Sequence, residues 1–246
     1  MLGPFAIIGH PVGKSMSPRL FCAAYPQLPP GTYLVVEADR GQTAMHKMET
    51  LGIRAANITM PLKTDCIPCA QQVSDQVLQT NATNLLRKEN GTWSAWNTDV
   101  TGVSESFRAT GVTLAGRQAL VLGAGGAGRA AALALEQAGA RVFIANRTPR
   151  EGLFSLDSVP DLLAACSVVV NTIPVAQKEE LLRNLTKNHT VLDASYTQAP
   201  AKKATLQAGA CYLSGYHWLY HQAVEGFQIM TGLEPDTGAM RRLLGL

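Results

Sequence analysis

A glycine-rich stretch in the middle of the chain, Gly123–Gly128, constrains the fold more than any other part of the sequence. It follows the apolar run Gln118–Leu122 and precedes the alanine-rich segment Arg129–Ala138, so we predict a strand, a tight turn and a helix. In a dinucleotide-binding βαβ unit, the first glycine makes the turn, the second admits a pyrophosphate, and the third lets the helix pack against the strand. Three glycines have this spacing, and they are Gly123, Gly125 and Gly128.

The residues after the next predicted strand indicate which dinucleotide is bound. That strand, Arg141–Ala145, runs into Asn146-Arg147-Thr148, where an NAD-binding protein usually carries an acidic residue for the ribose hydroxyls. Arg147 offers a planar cation and Thr148 a hydroxyl, and both groups suit a 2′-phosphate. The sequence therefore favours NADP over NAD. The alternative interpretation is that Arg147 is an ordinary exposed charge after a strand.

The composition excludes several classes of protein. The 246 residues are 46% hydrophobic and 16% charged, as in a globular protein large enough to bury a core. The net charge is only +3 and the basic residues are scattered, so nothing indicates binding to nucleic acid. No apolar run is long enough for a bilayer, and the first residues do not resemble a signal peptide. We therefore expect no membrane partner. Five cysteines, an odd number without a signal peptide, fit a reducing cytoplasm better than a set of disulfides, so we expect a cytoplasmic location.

Short apolar runs bounded by turn residues predict the elements of the N-terminal part. Pro18 suits a first helical position, which predicts that Ser17 is a helix N-cap; the alternative is that the hydroxyls of Ser15 and Ser17 face a polyhydroxylated or carboxylate ligand, and the spacing does not decide between them. Pro61 should break a strand before another helix begins. The sequence Glu89-Asn90-Gly91 predicts a hairpin turn. The predicted strands are Phe5–Ile8, Tyr33–Val36, Arg54–Ile58, Asn84–Arg87 and Trp93–Trp96, with a helix over Gln42–Leu51.

The C-terminal part alternates predicted strands with predicted helices, which is typical of a parallel sheet covered by helices. Polar residues follow several of the strands, and ligands of open α/β sheets bind at those carboxyl ends. The predicted helices are Thr101–Ala109, Asp161–Ala165, Ala201–Ala208 and His217–Thr231, and the strands are Ser167–Val170, Thr190–Asp193 and Ala210–Leu213.

Two pairs of residues have the spacing of metal ligands, and we interpret both as structural. Cys66 and Cys69 lack a second cysteine pair that would complete a zinc site, and their context differs from that of a thioredoxin unit. His217 and His221 lack the internal glutamate of a metalloprotease helix. We therefore predict no metal site.

Several separate motifs are spread along the chain, among them Gly9–Pro18 with its two serines and Asn57–Lys63. They resemble motifs of the shikimate dehydrogenase family: Gly9–Pro18 is similar to the family's serine motif, and Asn57–Lys63 is similar to its Asn-Val-Thr-x-Pro-x-Lys motif. Together these motifs are far more specific than any one of them. The other matching stretches are Asn97-Thr98-Asp99, the glycine loop, Asn146-Arg147-Thr148, Asp193 with Tyr196, and Gln222-Ala223.

The resemblance implies reversible, NADPH-dependent reduction of 3-dehydroshikimate to shikimate, a step of chorismate biosynthesis. It implies that Lys63 and Asp99 are the reactive pair. A carbonyl oxygen that is being reduced needs a proton or a cation within reach, and Lys63 can supply either, so both roles stay open. The implied substrate-binding residues are Ser15, Ser17, Thr59, Asn84, Tyr196 and Gln222. The implied cofactor-binding residues are Gly123, Ala124, Gly125, Gly126, Ala127, Asn146, Arg147, Thr148 and Gly215.

The resemblance also implies an α/β fold of two domains with the substrate between them. We expect a substrate-binding domain over residues 1–100 and a Rossmann-like, doubly wound NADP-binding domain over residues 101–214. Residues 215–246 should form C-terminal helices that return to the substrate domain. The sequence leaves open whether the protein is a monomer or a homodimer.

The chain departs from the family's pattern in four places. Asn81–Leu85 stands in place of Gly-Ala-Val-Asn-Thr, which keeps the Asn at Asn84 but changes the turn around it, and Asn171–Gln177 lacks the glycine that usually stands two residues after the proline. Gly215–Leu219 replaces Gly-Leu-x-Met-Leu and carries more bulk. The stretch from Thr148 to Ser167 is short, as if a helix and a strand on the adenosine side were trimmed, which predicts weak NADP affinity. Two alternatives therefore stay open: a dehydrogenase for quinate or an aminoshikimate, and an inactive paralogue that senses a metabolite.

Overall fold

The computed structural model describes residues 3–148, 150–173 and 179–246 and divides into two compact units. Unit 1 comprises the chain up to Thr98 together with Gln222–Leu246. Unit 2 comprises Asp99–His221. Each unit is built on one six-stranded sheet. Within the described residues, no helix is both long and apolar enough to cross a membrane.

The sheet of unit 1 is mixed, with parallel strands at its centre and a hairpin beside them. Its strand order is β2-β1-β3-β5-β6-β4. β1 pairs in parallel with β2 and β3, whereas β5 pairs antiparallel with β3 and β6. The strands are β1 (Phe5–Gly9), β2 (Tyr33–Glu37), β3 (Ala55–Ile58), β4 (Gln72–Val73), β5 (Leu85–Glu89) and β6 (Thr92–Trp96).

The hairpin of β5 and β6 has the turn that its sequence predicts. Asn90 and Gly91 both have positive φ, at 49° and 84°. Two consecutive residues in this region form the turn that matches the twist of a two-residue hairpin, and Asn-Gly is its preferred sequence. The register then places Glu89 opposite Thr92.

The helices of unit 1 come from both ends of the chain. An aromatic cluster joins the two ends, since Phe21 packs 5.2 Å from Phe227 and 4.7 Å from Tyr33 between ring centroids. The C-terminal helices therefore share the core of unit 1, as the sequence predicts. From the first part of the chain come α1 (Ser17–Ala24), α2 (Gly41–Thr50) and α3 (Asp75–Thr80). From the last part come α9 (Thr237–Leu244) and the portion of α8 (Gly215–Thr231) that begins at Gln222.

The sheet of unit 2 is parallel throughout and doubly wound. Its strand order is β12-β11-β10-β7-β8-β9. The chain moves outward from β7 in one direction and from β10 in the other, so the topological switch point lies between these two strands. This topology confirms the predicted Rossmann-like fold. The strands are β7 (Gln118–Leu122), β8 (Arg141–Asn146), β9 (Phe154–Ser155), β10 (Val168–Asn171), β11 (Thr190–Asp193) and β12 (Cys211–Leu213).

Helices cover both faces of this second sheet. One core cluster joins Val121 and Val170 to apolar residues of the helices before and after β7. The other cluster joins Leu122 and Val169 to the remaining two helices. The strands are buried on both faces, which explains why they are continuous apolar runs. The helices are α4 (Asp99–Ala109), α5 (Gly126–Gln137), α6 (Val159–Ala165) and α7 (Lys202–Gln207), followed by the first residues of α8.

Two local predictions are wrong. Ser17 is not an N-cap: α1 begins at Ser17, and the hydroxyl oxygen of Ser15 accepts the Ser17 N–H at 3.2 Å. The helix predicted after Pro61 is instead a series of turns that ends in the 3₁₀-helix Ile67–Cys69. Pro68 stands in that 3₁₀-helix and has no N–H to donate to a longer α-helix.

The adenosine side of unit 2 is reduced rather than lost. β9 has only two residues, yet it pairs with the end of β8 and completes the six-stranded order. Among the described residues 147–153, turns and bends take the place of a helix between these strands. The stretch that the sequence analysis singles out as short thus holds a two-residue strand, which is reached from β8 through turns and bends.

The third glycine of the loop is required by packing within unit 2. A Cβ atom on Gly128 would lie 1.9 Å from the carbonyl oxygen of Gly123. Gly123 itself has a φ of +101°, and a Cβ there would meet the Thr172 hydroxyl at 2.6 Å. α5 can therefore approach the end of β7 only where both positions lack a side chain.

We predict that Gly128→Ala destabilises the protein while Gly125→Ala does not. Overpacking typically costs ~1–3 kcal/mol, and a clash with backbone should reach the upper end. Thermal unfolding followed by circular dichroism should give a Tm lower by roughly 6–12 °C for Gly128→Ala. Gly125 is the matched control, because its added Cβ meets no atom within 4 Å and its φ is −73°. Equal Tm values for the two variants would contradict this account.

Candidate active site

The polar residues of unit 1 collect at one edge of its sheet. β1, β3 and β6 all end at this edge, and β5 begins there, because β5 runs antiparallel to its neighbours. The backbone is tightly packed at this point: a Cβ on Gly9 would lie 2.7 Å from the Met60 carbonyl oxygen. The His10 N–H donates to that same carbonyl at 2.9 Å. The loops after β1 and β3 are thereby fixed side by side.

The two predicted serines begin a hydrogen-bonded chain that runs into the core of unit 1. The Ser15 hydroxyl donates to the Ser17 hydroxyl at 3.2 Å. Ser17 is buried, and its hydroxyl lies within hydrogen-bonding reach of the Tyr33 oxygen. The Tyr33 hydroxyl donates to the Asn57 side-chain oxygen at 2.7 Å. Burial raises the pKa of Tyr33 well above 10.0, an effect that the Ser17 contact only partly offsets. Tyr33 is therefore a permanent donor at physiological pH.

A carboxylate at the end of β2 holds the loop that carries these serines. The Val12 N–H donates to one oxygen of Glu37 at 3.0 Å, and His10 Nδ1 lies 2.9 Å from the other. The Val12 N–H, and to a smaller extent His10, lowers the pKa of Glu37. An ionised Glu37 thus fixes both ends of the turn that leads to Ser15.

Asn84 is the centre of the polar cluster at the sheet edge. Its side-chain oxygen accepts the Thr98 N–H at 2.8 Å. Its amide group donates to the Thr98 hydroxyl at 2.9 Å and to the Gln222 side-chain oxygen at 3.3 Å. Two residues predicted to bind substrate are therefore in direct contact, although 138 positions separate them in the chain.

The loop that carries Thr59 and Lys63 is tied to the same place by its backbone. The Thr59 N–H donates to Ile8 at 2.9 Å, which continues the pairing of β1 and β3. The Lys63 carbonyl accepts the Thr83 N–H at 2.7 Å, next to Asn84. Thr59 and Lys63 are both half-buried. Six predicted residues of unit 1, namely Ser15, Ser17, Thr59, Lys63, Asn84 and Gln222, thus lie in connected segments at one sheet edge.

Asn81 explains one departure from the family's pattern. It is the C-cap of α3 and adopts the left-handed conformation, with φ at 47° and ψ at 42°. Glycine is the usual residue in this conformation, and asparagine is the best substitute. The turn before Asn84 is therefore preserved despite the change from glycine.

Asp99 is the first residue of α4 in unit 2, and it is 6% exposed. A carboxylate is favoured there by the free N–H groups and the dipole of the helix. The indole N–H of Trp218 donates to Asp99 Oδ1 at 3.0 Å. This bond is not evident from the sequence, because nothing local connects two residues that are 119 positions apart.

The glycine loop of unit 2 has the shape that a dinucleotide requires. Gly125 is exposed, and the space that its Cβ would occupy is open, so a phosphate could approach the backbone there. α5 begins directly afterwards at Gly126, and no side chain caps its first turn. The N–H groups of that turn are available to an anion, as at other dinucleotide sites. Arg129 braces the loop by donating to the Ala124 carbonyl at 3.0 Å.

The end of β8 carries the residues expected at a 2′-phosphate. Asn146 accepts the Ala124 N–H at 3.4 Å and donates to the Thr148 carbonyl at 3.1 Å, so it links this segment to the glycine loop. Arg147 and Thr148 are exposed, and no hydrogen bond or ion pair holds the Arg147 side chain within the described residues. Asn146 is neutral, whereas an acidic residue at this position would repel a phosphate.

Tyr196 and Gly215 lie close together after β11 and β12 of unit 2. Tyr196 stacks on Tyr216, with ring centroids 5.3 Å apart and planes inclined by 21°. A Cβ on Gly215 would lie 2.7 Å from the Ala194 carbonyl and 2.9 Å from the Tyr196 N–H. Gly215 is therefore a packing requirement, in addition to its predicted place at the cofactor.

Asp193 is buried and holds this region together. It accepts hydrogen bonds from the Asn171 side chain at 3.1 Å and from the Ala201 N–H at 2.9 Å. Burial raises its pKa, and these donors reduce the effect. The prediction about the nicotinamide loop falls on Pro174, Val175, Ala176 and Gln177, which lie outside the described residues.

The cysteine pair of unit 1 has the environment of structural thiols. Cys66 is buried, and burial raises its pKa to about 12. Cys69 is half-buried, and its pKa is also raised by burial. Both groups therefore stay protonated near neutral pH, where a thiolate would be needed for metal binding or redox chemistry.

Three protein-family models match parts of the chain. The shikimate dehydrogenase substrate-binding domain matches residues 7–86, and the shikimate 5′-dehydrogenase C-terminal domain matches residues 219–244. The NAD-binding domain of D-isomer-specific 2-hydroxyacid dehydrogenases matches residues 81–189. A shikimate dehydrogenase (NADP(+)) from Halorubrum lacusprofundi is 34% identical, and the match covers 98% of this chain and 97% of that protein. The chain belongs to the shikimate dehydrogenase family.

Other members of the shikimate dehydrogenase family agree with this assignment. The enzyme from Archaeoglobus fulgidus is 32% identical over 96% of this chain and 95% of its own. The crystal structure of shikimate dehydrogenase from Aquifex aeolicus has a TM-score of 0.89 at 30% identity and covers 98% of this chain and 97% of that one. The enzyme from Thermus thermophilus in complex with NADP(H) and shikimate has a TM-score of 0.85 at 29% identity, covering 100% and 99%.

We predict that Tyr33→Phe lowers the free energy of unfolding by about 1–3 kcal/mol at pH 8, because the buried Asn57 oxygen loses its donor. The difference should narrow above pH 10. In the unfolded chain Tyr33 has its ordinary pKa of 10.0 and ionises above that pH, whereas in the folded protein its pKa is raised and it stays neutral. The free energy of unfolding of the wild type therefore falls as the pH rises above 10, and the variant, which lacks this hydroxyl, does not show that fall. Urea unfolding between pH 8 and 11 measures both effects. Tyr216→Phe is the control at pH 8, and an equally large loss there would contradict a role for the Asn57 contact.

Proposed function

We propose that the protein is an NADP-dependent shikimate dehydrogenase that reversibly reduces 3-dehydroshikimate to shikimate. The observation that carries this proposal is the direct contact between Asn84 and Gln222, at 3.3 Å, within a chain that belongs to the family over nearly its whole length. Two motifs that are far apart in sequence meet at one sheet edge in unit 1, where the serine and lysine motifs also lie. A chance resemblance of short motifs would not place them together.

The polar edge of unit 1 suits a small ligand with several hydroxyls and a carboxylate. Hydroxyl groups of Ser15, Ser17 and Thr59 can donate to a carboxylate or accept from an alcohol, and the amides of Asn84 and Gln222 can do both. We propose these five residues as the substrate-binding set, with Tyr196 of unit 2 as a further member. The side chains of Ser15, Ser17, Asn84 and Gln222 are already held by hydrogen bonds to one another in pairs, which reduces the entropy lost on binding.

Lys63 and Asp99 are the proposed reactive pair. During reduction, the carbonyl oxygen of the substrate gains negative charge and finally a proton. The Lys63 ammonium group can stabilise that charge and can donate the proton, and in the reverse direction the neutral amine can accept it. Asp99 is the carboxylate of the pair, with a charge opposite to that of the lysine. The proton lost from the shikimate hydroxyl thus passes to Lys63 and then to solvent.

The residues of unit 2 fit a bound NADP molecule, which supplies or accepts the hydride when it is present. The backbone of Gly123–Ala127 would hold the pyrophosphate, since the loop is open at Gly125 and leads into the first turn of α5. Arg147 and Thr148, supported by Asn146, would hold the 2′-phosphate. Gly215 would form the wall near the nicotinamide.

Several further properties belong to this proposal. We assign residues 1–100 to the substrate-binding domain, residues 101–214 to the NADP-binding domain and residues 215–246 to the helices that complete the first, whereas the two compact units meet in the chain at Thr98 and at Gln222. The protein acts as a monomer or a homodimer on small molecules and needs neither nucleic acid nor a metal. It works in the cytoplasm, which is supported by five free thiols.

We predict that Lys63→Ala lowers kcat by about 10²–10⁴-fold, the usual contribution of a general acid or base. The measurement is NADPH formation at 340 nm from NADP and shikimate, with quinate and NAD in parallel. Lys202→Ala removes an exposed lysine in α7 and should keep wild-type activity.

Three results would separate the alternatives. Faster turnover of quinate than of shikimate would indicate a quinate dehydrogenase of the same family. An inactive wild type that binds shikimate in calorimetry would indicate a metabolite-binding paralogue. Full activity of Lys63→Ala would overturn the role of the lysine.

We predict that Arg147→Ala raises the KM for NADP by about 10–100-fold, which corresponds to the loss of ~1.5–3 kcal/mol from a charged hydrogen bond. The KM for NAD should stay within about twofold, because NAD lacks the 2′-phosphate. Arg183→Ala, which removes another arginine of unit 2, is the matched control and should change neither value. Equal effects of Arg147→Ala on both cofactors would place the arginine outside the 2′-phosphate site.

A further inference from the structure

Trp218 gives this chain a hydrogen-bond donor that the family's usual sequence lacks. In Gly215–Leu219 it stands where the usual Gly-Leu-x-Met-Leu has methionine. A methionine sulfur is only a weak acceptor, whereas an indole N–H is a donor. The substitution therefore changes the chemistry available at this position, in addition to its volume.

The indole is fixed in place by its surroundings in unit 2. Trp218 is 5% exposed and belongs to the core cluster that also contains Val100, Val103 and Leu213. Val100 and Val103 are on α4, the helix that begins at Asp99. The same helix thus supplies both the packing surface for the indole ring and the carboxylate that its N–H contacts.

The contact itself selects one oxygen of the carboxylate. Trp218 Nε1 donates to Asp99 Oδ1 at 3.0 Å, and both residues are buried. A buried indole N–H needs a partner, since leaving it without one costs free energy. A tryptophan side chain has only two rotatable bonds, so a packed indole is a rigid donor. The bond therefore restricts rotation of the Asp99 side chain and fixes the direction of Oδ2.

We propose that Trp218 is a positioning residue for the reaction, acting through the Asp99 carboxylate. This inference rests on the proposed function, in which Asp99 is one of the two reactive residues. The indole N–H holds Oδ1, so that Asp99 keeps one orientation throughout the catalytic cycle. Trp218 itself contacts no reacting atom in this role.

The first test asks whether the bond forms in solution, and it does not depend on activity. The full-length protein has three tryptophans, so three indole N–H resonances are expected in a ¹H–¹⁵N spectrum. They are assigned with single Trp→Phe variants. The Trp218 resonance should move upfield in Asp99→Ala, where its acceptor is gone. The Trp93 resonance should stay in place, because the Trp93 indole donates to Glu49 in unit 1. An unchanged Trp218 resonance in a folded Asp99→Ala variant would overturn the proposal.

The second test separates positioning from packing. Trp218→Phe keeps an aromatic ring and removes the donor, and kcat should fall about 10–100-fold, as expected for loss of a hydrogen bond to a charged group. The Kd for NADP should stay within about twofold if unit 2 is intact. Trp93→Phe is the matched control: it also removes a buried indole N–H that donates to a carboxylate, at 3.2 Å, and kcat should be unchanged.

Two outcomes of the kinetic experiment contradict the proposal in different ways. Wild-type kcat in Trp218→Phe would show that the indole only packs. Parallel changes in kcat and in the Kd for NADP would show a general defect of unit 2. An inactive wild type would overturn the proposed function, and the catalytic role with it, even if the resonance of Trp218 responds to Asp99→Ala. Failure of the proposal for Trp218 and failure of the proposed function are therefore distinguishable.

Discussion

The side chain of Asn84 joins three parts of unit 1 that are far apart in the chain. It uses its oxygen and both of its amide hydrogens, on the Thr98 backbone, the Thr98 hydroxyl and Gln222. A buried amide that lost these partners would cost about 1–3 kcal/mol for each unsatisfied group. The end of β6 and the helix that carries Gln222 are thus held in one arrangement by the same bonds that place two polar groups at the sheet edge. The hydrogen bonds of the Asn84 side chain thus contribute both to the stability of unit 1 and to the geometry of its polar edge.

Much of this fold follows from local features of the sequence. β7 and β11 have the predicted bounds, because each is a short apolar run between turn residues and is buried on both faces. The β5–β6 hairpin follows from Asn90-Gly91, which is suited to two consecutive left-handed residues. The two-residue strands β4 and β9 were not predicted, since neither has enough residues to show a period and each exists through pairing with a neighbour. The start of α5 at Gly126 was also missed, because glycines look like a loop until the helix behind them is known.

Some residues of the candidate site can be predicted from the local sequence, and others depend on contacts between distant parts of the chain. Ser15, Ser17 and Lys63 could be predicted for the candidate site because they stand in contiguous motifs. Tyr33 was not found as part of the site, although its hydroxyl connects Ser17 to Asn57. Its strand, β2, is a plain apolar run, and the contact with Asn57 depends on the order of strands in the sheet. Trp218 was noticed only as added bulk, and its bond to Asp99 appears only when α8 and α4 are packed in unit 2.

Departures from a family pattern carry information once the local structure is known. Asn81 replaces glycine at a left-handed cap and preserves the backbone, so it leaves the position of Asn84 unchanged. Trp218 replaces methionine and adds a bond to a carboxylate, so it changes the environment of Asp99. Within the glycine loop, a Cβ on Gly128 would clash with the carbonyl of Gly123, whereas a Cβ on Gly125 would meet no atom within 4 Å. Neither packing nor a positive φ requires glycine at position 125, whereas the close approach of a pyrophosphate to the backbone would, so Gly125 supports the proposed dinucleotide site of unit 2.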